Sequence, residues 1–315
     1  MLLVLTSSAD ETANYLCTKL IGAGVRLLRL DTDTCARNVT IGYARNAPVL
    51  RTQDLTLRAE DVRAVWLRRP KPVVVDAAGD DAQRAHVVNE WGEALEGYLA
   101  HISKDRWMNY PAANVVASHK LEQITRALRF GLTVPDTLLT QSCEELESFW
   151  RKKDGRVVAK PLASGYLERP KGVSSSIYTS RVGREHLHAA DLAACPTLFQ
   201  EEVAKAFDVR VTVVDEAVVA VALHREEAGG EVDIRRDNMR NVHYEPIDIP
   251  IRVATGLRRL LASYGLRFAA ADFGVTAAKS WVFFEVNPNG QWAWLDLVGV
   301  TNLWQDFAHA FEARP

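Results

Sequence analysis

Short apolar runs at residues 2–6 and 25–30 flank a stretch, residues 9–23, whose apolar positions recur at helical spacing behind Asp10, a residue suited to an N-cap. This predicts a β-α-β opening. Residues 62–67 read as a further strand, and Val87, Val88, Trp91, Leu95, Tyr98, Leu99 and Ile102 mark one face of a helix, a core stripe and not a cofactor box. Gly22 and Gly24 precede a strand instead of following one and lack a third glycine, which excludes a dinucleotide loop. Residues 1–108 are therefore expected to form a small α/β domain with a mostly parallel sheet.

From Asn109 the pattern changes. A helix is predicted over residues 115–130, ended by Gly131 with Pro135 beyond it, and another over 144–153. A strand at 156–162 leads into an irregular stretch, 163–176, and strands at 198–203, 208–214 and 217–224 follow. A long helix at 251–264 precedes a hairpin, 267–275 with 281–287, and the chain is expected to close with a helix at 302–313. The alternation implies two α+β subdomains, residues 109–197 and 198–315, with a cleft between them.

Composition narrows the function. A formal net charge of -2 excludes a globally basic, nucleic-acid-type footprint. Cys17, Cys35, Cys143 and Cys195 are scattered, without zinc spacing, and read as reduced structural thiols. The longest apolar run, 217–223, is far short of the ~18–20 residues a bilayer span needs. The start has no basic n-region, so a cytoplasmic protein is expected.

The chemistry concentrates late in the chain. If the hairpin turns between Ala278 and Lys279, Asp272 lies opposite Glu285, and Asn287 shares the face of Glu285. Three oxygen donors then converge, a set that suits magnesium held against phosphates; an ordinary hairpin with incidental acids is the alternative. Lys160 sits in an apolar strand and Lys120 opens a helix, positions that favour an anionic partner, although an edge or snorkelling lysine would look the same. The small residues Ser164, Gly165, Gly172, Ser174, Ser175 and Ser176, among the charged Glu168, Arg169 and Lys171, form either a phosphate loop or a surface excursion. Gln200, Glu201, Glu202 and Val203 form a crossing whose main chain is placed to read an adenine edge. Asp208 and Arg210 share a face, either for ribose and phosphate contacts or as a mutual salt bridge.

In this order, these residues resemble the ATP-grasp superfamily of carboxylate–amine ligases. The resemblance covers residue 109 to the end, with the opening unit like the family's preceding domain. It implies a Rossmann-like pre-ATP-grasp domain followed by a two-subdomain ATP-grasp fold with the nucleotide in the cleft. Lys120 and Lys160 match the family's phosphate lysines, residues 199–203 its adenine strand, and Asp208 and Arg210 its ribose and phosphate or intermediate contacts. Asp272, Glu285 and Asn287 match its magnesium ligands.

Four stretches resemble the graspetide, or microviridin-type, peptide macrocyclases more narrowly: residues 65–70, 107–111, 131–138 and 285–294. Two departures are His119, where that branch usually has Asn, and Ile234, where it has an aromatic residue. The resemblance implies ATP and Mg2+ as cofactors, a ribosomally made precursor peptide as partner, and a homodimer. Peptide Asp or Glu carboxylates would be activated as acyl phosphates and captured by Ser/Thr hydroxyls or Lys amines. Arg210, Arg225 and Arg235 would hold the carboxylate or acyl phosphate, and Asp233 would be the base unless it is a surface acid of the charged stretch 225–240. The rival functions are a ligase for free amino acids or small carboxylates and a non-catalytic nucleotide-binding module.

Overall fold

Leu2–Thr6 is buried at every position, as a strand covered on both faces must be. In the computed structural model, which describes residues 1–44, 46–163, 165–167, 175–188, 190–225, 232–236 and 241–312, this strand lies inside a parallel sheet. The order is Leu27–Asp31, Leu2–Thr6, Ala64–Leu67, Trp107–Met108. The expected first helix spans Glu11–Gly22, and Asp10 caps it by accepting from the Ala13 amide at 3.0 Å. The expected helical stripe lies on Asp81–Leu99, but its burial is concentrated at the C-terminal end, at Leu95 and Tyr98, while Val87 and Val88 stay half exposed. A three-stranded antiparallel sheet, Thr40–Ala44, Ala47–Arg51 and Thr56–Arg58, was not predicted. Its strands are too short for a sustained alternation, and Gly42 and Pro48 interrupt the β pattern.

The single helix expected over 115–130 is two, Pro111–Ala117 and Lys120–Arg129. The break falls at Ser118 and His119, where Ser118 Oγ donates back to the Asn114 carbonyl at 2.7 Å. It makes Lys120 the first residue of a new helix. Gly131, at φ +78°, ends that helix as expected.

Two larger antiparallel sheets follow, besides a short antiparallel ribbon of Tyr166–Leu167 and Ser175–Ser176 in the stretch expected to be irregular. The smaller runs Ser180–Arg181, Val157–Lys160, Thr197–Glu201, Thr137–Thr140. The larger runs Val242–Ile247, Ala217–Arg225, Lys205–Val214, Phe268–Thr276, Trp281–Asn287. The three strands of these sheets that sequence reasoning missed, Thr137–Thr140, Ser180–Arg181 and Val242–Ile247, are all edges, where polar residues and Pro246 are tolerated.

One face of the larger sheet packs Val209, Val211, Ala271 and Phe273 against Leu257 and Leu260 of the helix Ile251–Tyr264. The other face, at its Phe268 end, joins the N-terminal sheet in one core with Trp66, Met108, Trp292 and Phe307. Trp292 and Phe307 stack there at 4.5 Å. The closing helices Ala293–Leu297 and Leu303–Glu312 contribute to this core, beside Leu16 and Leu20 of the first helix. Among the described residues, no helix is long and apolar enough to cross a membrane.

Two buried polar side chains fasten the halves. Asn109 follows a cis peptide bond; its Oδ1 accepts from the Arg267 and Phe268 amides, each at 2.9 Å, and its Nδ2 donates to the carbonyls of Phe268 at 2.8 Å and Pro288 at 3.1 Å. Arg68, 0 % exposed, donates to the carbonyls of Asn289 and Gly290 and to Gln291 Oε1. Removing Asn109 would strand four backbone groups away from water. Asn109→Ala is therefore expected to cost about 2–4 kcal/mol, read as a lower unfolding midpoint in urea.

Candidate active site

The strand Phe268–Thr276 alternates faces. Ala269, Ala271, Phe273 and Val275 enter the core, which leaves Asp272 and Gly274 on the opposite, cleft side. Asp272 pairs directly with Glu285, as the sequence predicts, and Asn287 lies opposite Ala270. The route to that register differs from the expected one. The turn is one residue tighter, with Lys279 at φ +60° and Thr276 bonded to the Ser280 carbonyl at 3.0 Å. Phe284 is then an extra residue between the pairs Phe273–Phe283 and Asp272–Glu285, a bulge that restores the acid register. It also turns Phe284 and Glu285 consecutively toward the cleft. A Cβ on Gly274 would stand 2.8 Å from the Phe284 ring, so a small residue is required across from it.

Burial pushes Asp272 up to about 6, and the charge of Glu285 adds to the shift while Arg210 and Arg235 oppose it. Arg210 Nε stands 3.1 Å from Asp272 Oδ1, directly across the strand pair. Asp208 and Arg210 share a face as expected but do not pair with each other. Asp208 pairs with Lys205 and lies 3.9 Å from Arg225, and burial, opposed chiefly by Lys205, raises its pKa.

Cations reach the same place from the smaller sheet and from the helix after the break. Lys160 Nζ lies 4.7 Å from the Phe284 ring centroid. Lys120 Nζ donates to the Pro161 carbonyl at 2.7 Å and stands 3.5 Å from Glu285. Burial pushes Lys160 down to about 8; Lys120 and Lys205 add to the fall and Glu285 resists it.

Sequence reasoning missed Lys205. It contacts Asp208, donates to the Val232 carbonyl at 3.0 Å and lies 5.6 Å over the Phe284 ring. In a regular strand, positions 205 and 208 point to opposite faces; a register shift between Lys205 and Phe207 brings them together.

The crossing at 200–203 divides by role. Glu201 is tied to Lys153 at 2.9 Å and Glu202 to Arg181 at 2.8 Å, ion pairs in which the main chain and Gln200 take no part. Gln200 is 2 % exposed; its Nε2 donates to Thr137 Oγ1 at 3.1 Å, while its Oε1 is buried with no hydrogen-bond partner. The Val203 carbonyl accepts from the Lys205 amide at 2.9 Å. Arg225 reaches the Val232 carbonyl at 3.5 Å, and Arg235 is gripped by Asp233 at 2.8 and 2.5 Å. Ser164, Glu168, Arg169, Lys171, Gly172 and Ser174 lie outside the described residues, as do parts of the charged stretch 225–240.

Among the described residues there is no cluster of three His, Cys, Asp or Glu side chains fit for a metal. The acid pair with the Asn287 amide nevertheless fits magnesium. All three donors are oxygens, and two carboxylates held opposite each other, one already displaced upward by burial and like charge, are relieved by a cation. The Asn287 amide is oriented because its Oδ1 accepts from the Asn289 amide at 3.0 Å.

A four-stranded sheet bearing Lys160, facing a five-stranded sheet bearing paired acids, has the architecture of an ATP-grasp ligase. Residues 1–114 match the family described as the MvdD pre-ATP grasp domain. Over its whole length the chain is similar to macrocyclase MdnC of Microcystis aeruginosa MRC, solved with the precursor peptide MdnA. That likeness has 27 % identity, covers 99 % of each chain and has a TM-score of 0.84. Macrocyclase MdnB of the same organism is 28 % identical over 98 % of each chain, with a TM-score of 0.77. A Chryseobacterium gregarium RiPP-associated ATP-grasp ligase, solved with ADP and a leader and core peptide, shares the fold at 23 % identity and TM-score 0.86, over 99 % of this chain and 96 % of that one. No curated protein matches. The chain has the ATP-grasp fold, and residues 1–114 are similar to an MvdD pre-ATP-grasp domain.

Lys160 gives the site a measurable proton balance. Without a ligand its ammonium is half lost at about pH 8; a phosphate beside it restores the charged form toward the ordinary lysine value of roughly 10.4. Binding of ADP with magnesium should therefore take up close to one proton near pH 9 and release a fraction of one near pH 6.5, where part of Asp272 is still protonated. Affinity should fall about tenfold per pH unit between those two pKa values. Calorimetry in buffers of different ionisation heat reads the uptake, and Lys160→Arg should remove it.

Proposed function

We propose that the chain is an ATP-dependent peptide macrocyclase that joins Asp or Glu side chains of a precursor peptide to Ser/Thr or Lys side chains of the same peptide. The observation that carries this reading is the opposed pair of walls, with Lys160 and Lys120 brought from outside the larger sheet onto the face where Asp272 and Glu285 meet. A carboxylate resists attack because its leaving group would be oxide. Transfer of the γ-phosphoryl group of ATP to it gives an acyl phosphate and ADP. Attack by a hydroxyl or amine then gives an ester or amide and releases phosphate.

Each group has a place in that sequence. Lys120 and Lys160 neutralise phosphate oxygens, and Lys205 adds a third ammonium, over the Phe284 ring that Lys160 also faces. Asp272, Glu285 and Asn287 would hold magnesium, which supplies charge neutralisation on the phosphates. The unpartnered Gln200 Oε1 suits the exocyclic amine of adenine, next to the main chain of Glu201, Glu202 and Val203, and Asp208 suits ribose hydroxyls. Arg210, Arg225 and Arg235 offer guanidinium forks for the peptide carboxylate and its acyl phosphate. The likeness to MdnC, solved with its precursor peptide, supports a peptide as the acceptor.

Glu285→Gln and Asp272→Asn should each lower ring formation by about three orders of magnitude or more while leaving the unfolding midpoint near that of the parent. Mass spectrometry of a leader-bearing precursor checks this, since each ring removes one water and addition of a free amino acid would raise the mass instead. Full dehydration by both variants would overturn the assignment of the acids.

A further inference from the structure

Asp233 bonds to the smaller sheet from a segment that is held to the larger one. Its Oδ2 accepts from the Thr179 amide at 3.2 Å, across 54 residues of chain. Thr179 immediately precedes Ser180–Arg181, which pairs with the strand that carries Lys160. On the other side, the Asp233 segment is fixed to the larger sheet. The neighbouring Val232 carbonyl accepts from Lys205 at 3.0 Å, and Ile234 is buried against Leu223 and Val242. A continuous path of bonds thus runs from the Lys160 strand through Thr179 and Asp233 to Lys205.

The same carboxylate aims Arg235. It accepts from Arg235 Nε at 2.8 Å, from its second guanidinium nitrogen at 2.5 Å and from its backbone amide at 3.1 Å. The guanidinium carbon lies 5.7 Å over the Tyr178 ring, the residue next to Thr179. Burial works to raise the Asp233 pKa, but the hydrogen bonds of Arg235 outweigh it and hold the carboxyl below its ordinary value. A carboxylate so satisfied is a weak proton acceptor.

We propose that Asp233 is a positioning residue, a latch that joins the smaller sheet to the larger one and sets Arg235, and not the base for the attacking hydroxyl. The latch rests on the proposed function only for its purpose: a cleft held shut over an acyl phosphate excludes the water that would hydrolyse it.

Asparagine keeps an acceptor oxygen for Thr179 but cannot take up a proton, so Asp233→Asn and Asp233→Ala separate the two roles. Hydrogen exchange on the full-length protein reads the latch without any substrate. The Thr179 amide should exchange about tenfold faster in Asp233→Ala and within about threefold of the parent in Asp233→Asn. With ATP and a leader-bearing precursor, ring closure in Asp233→Asn should stay within about tenfold of the parent, and Asp233→Ala should fall well below it with more ATP hydrolysed per ring formed. Unchanged exchange at Thr179 in Asp233→Ala overturns the latch. Ring closure lost equally in both variants, with the Asp233→Asn exchange normal and the remaining rate rising with pH where the parent's is flat, restores the base; the same loss with the parent's pH profile assigns it to a misdirected Arg235 and supports the positioning role. Loss of peptide cyclisation in the parent would remove the macrocyclase reading and leave the exchange result to stand by itself.

Discussion

The register between Phe268–Thr276 and Trp281–Asn287 is the constraint on which the site depends, because a slip of one residue would turn Glu285 into the core and Val286 into the cleft. The bulge at Phe284 makes such a slip locally available, and side chains from earlier in the sequence remove the freedom. Gln123, buried in the helix Lys120–Arg129, accepts from the Val286 amide and donates to the Val286 carbonyl, both at 2.8 Å. The Thr133 carbonyl takes the Phe283 amide at 2.8 Å. Asn109 then fixes Phe268 and Pro288, and Arg68 fixes Asn289 and Gly290. Arg68 of the N-terminal domain, with Asn109, Gln123 and Thr133 after it, therefore acts as a jig for acids far away in sequence.

That rigidity carries an electrostatic cost which the site uses. Asp272 and Glu285 face each other with Asp272 raised to about 6, and Lys160 is lowered to about 8. Each shift records a charge held where burial disfavours it. Under the proposed function, phosphates would relieve the lysine and a cation the acids, so ligand binding would recover what folding expended. Arg210 supplies partial neutralisation of Asp272 in the meantime.

Much of this was legible in the sequence where the signal is local. The hairpin acids, the caps at Asp10 and Gly131, and the helix Ile251–Tyr264 follow from spacing and residue type. The predicted pairing of Asp272 with Glu285 was correct although the turn was drawn one residue too wide, because the Phe284 bulge compensates. What could not be read depends on partners distant in the chain. Arg210 meets Asp272 only because their strands are neighbours, and Lys205 reaches Asp208 only through a bulge that periodicity does not reveal. The break at Ser118 lay inside a continuous helical pattern, where a side-chain bond to the backbone outweighed propensity. Gln200 was placed by its strand, but its unpartnered oxygen is a fact of packing.

The two walls of the cleft differ in how they are built, and the difference orders their roles. The acid wall shares its core with the N-terminal sheet and the closing helices, so displacing it would disrupt Trp66, Phe268, Trp292 and Phe307 together. The cation wall packs on a separate core, with Leu146, Val157, Val182 and Phe199 at its centre. Its ties to the acid wall are single polar contacts, such as Lys120 between Pro161 and Glu285, and Thr179 to Asp233. Breaking a few hydrogen bonds costs far less than opening a packed core, so opening of the cleft is assigned to the smaller sheet. Under this division the acids would keep their geometry, with Lys120 and Lys205 beside them, while Lys160 would move with the wall that carries it.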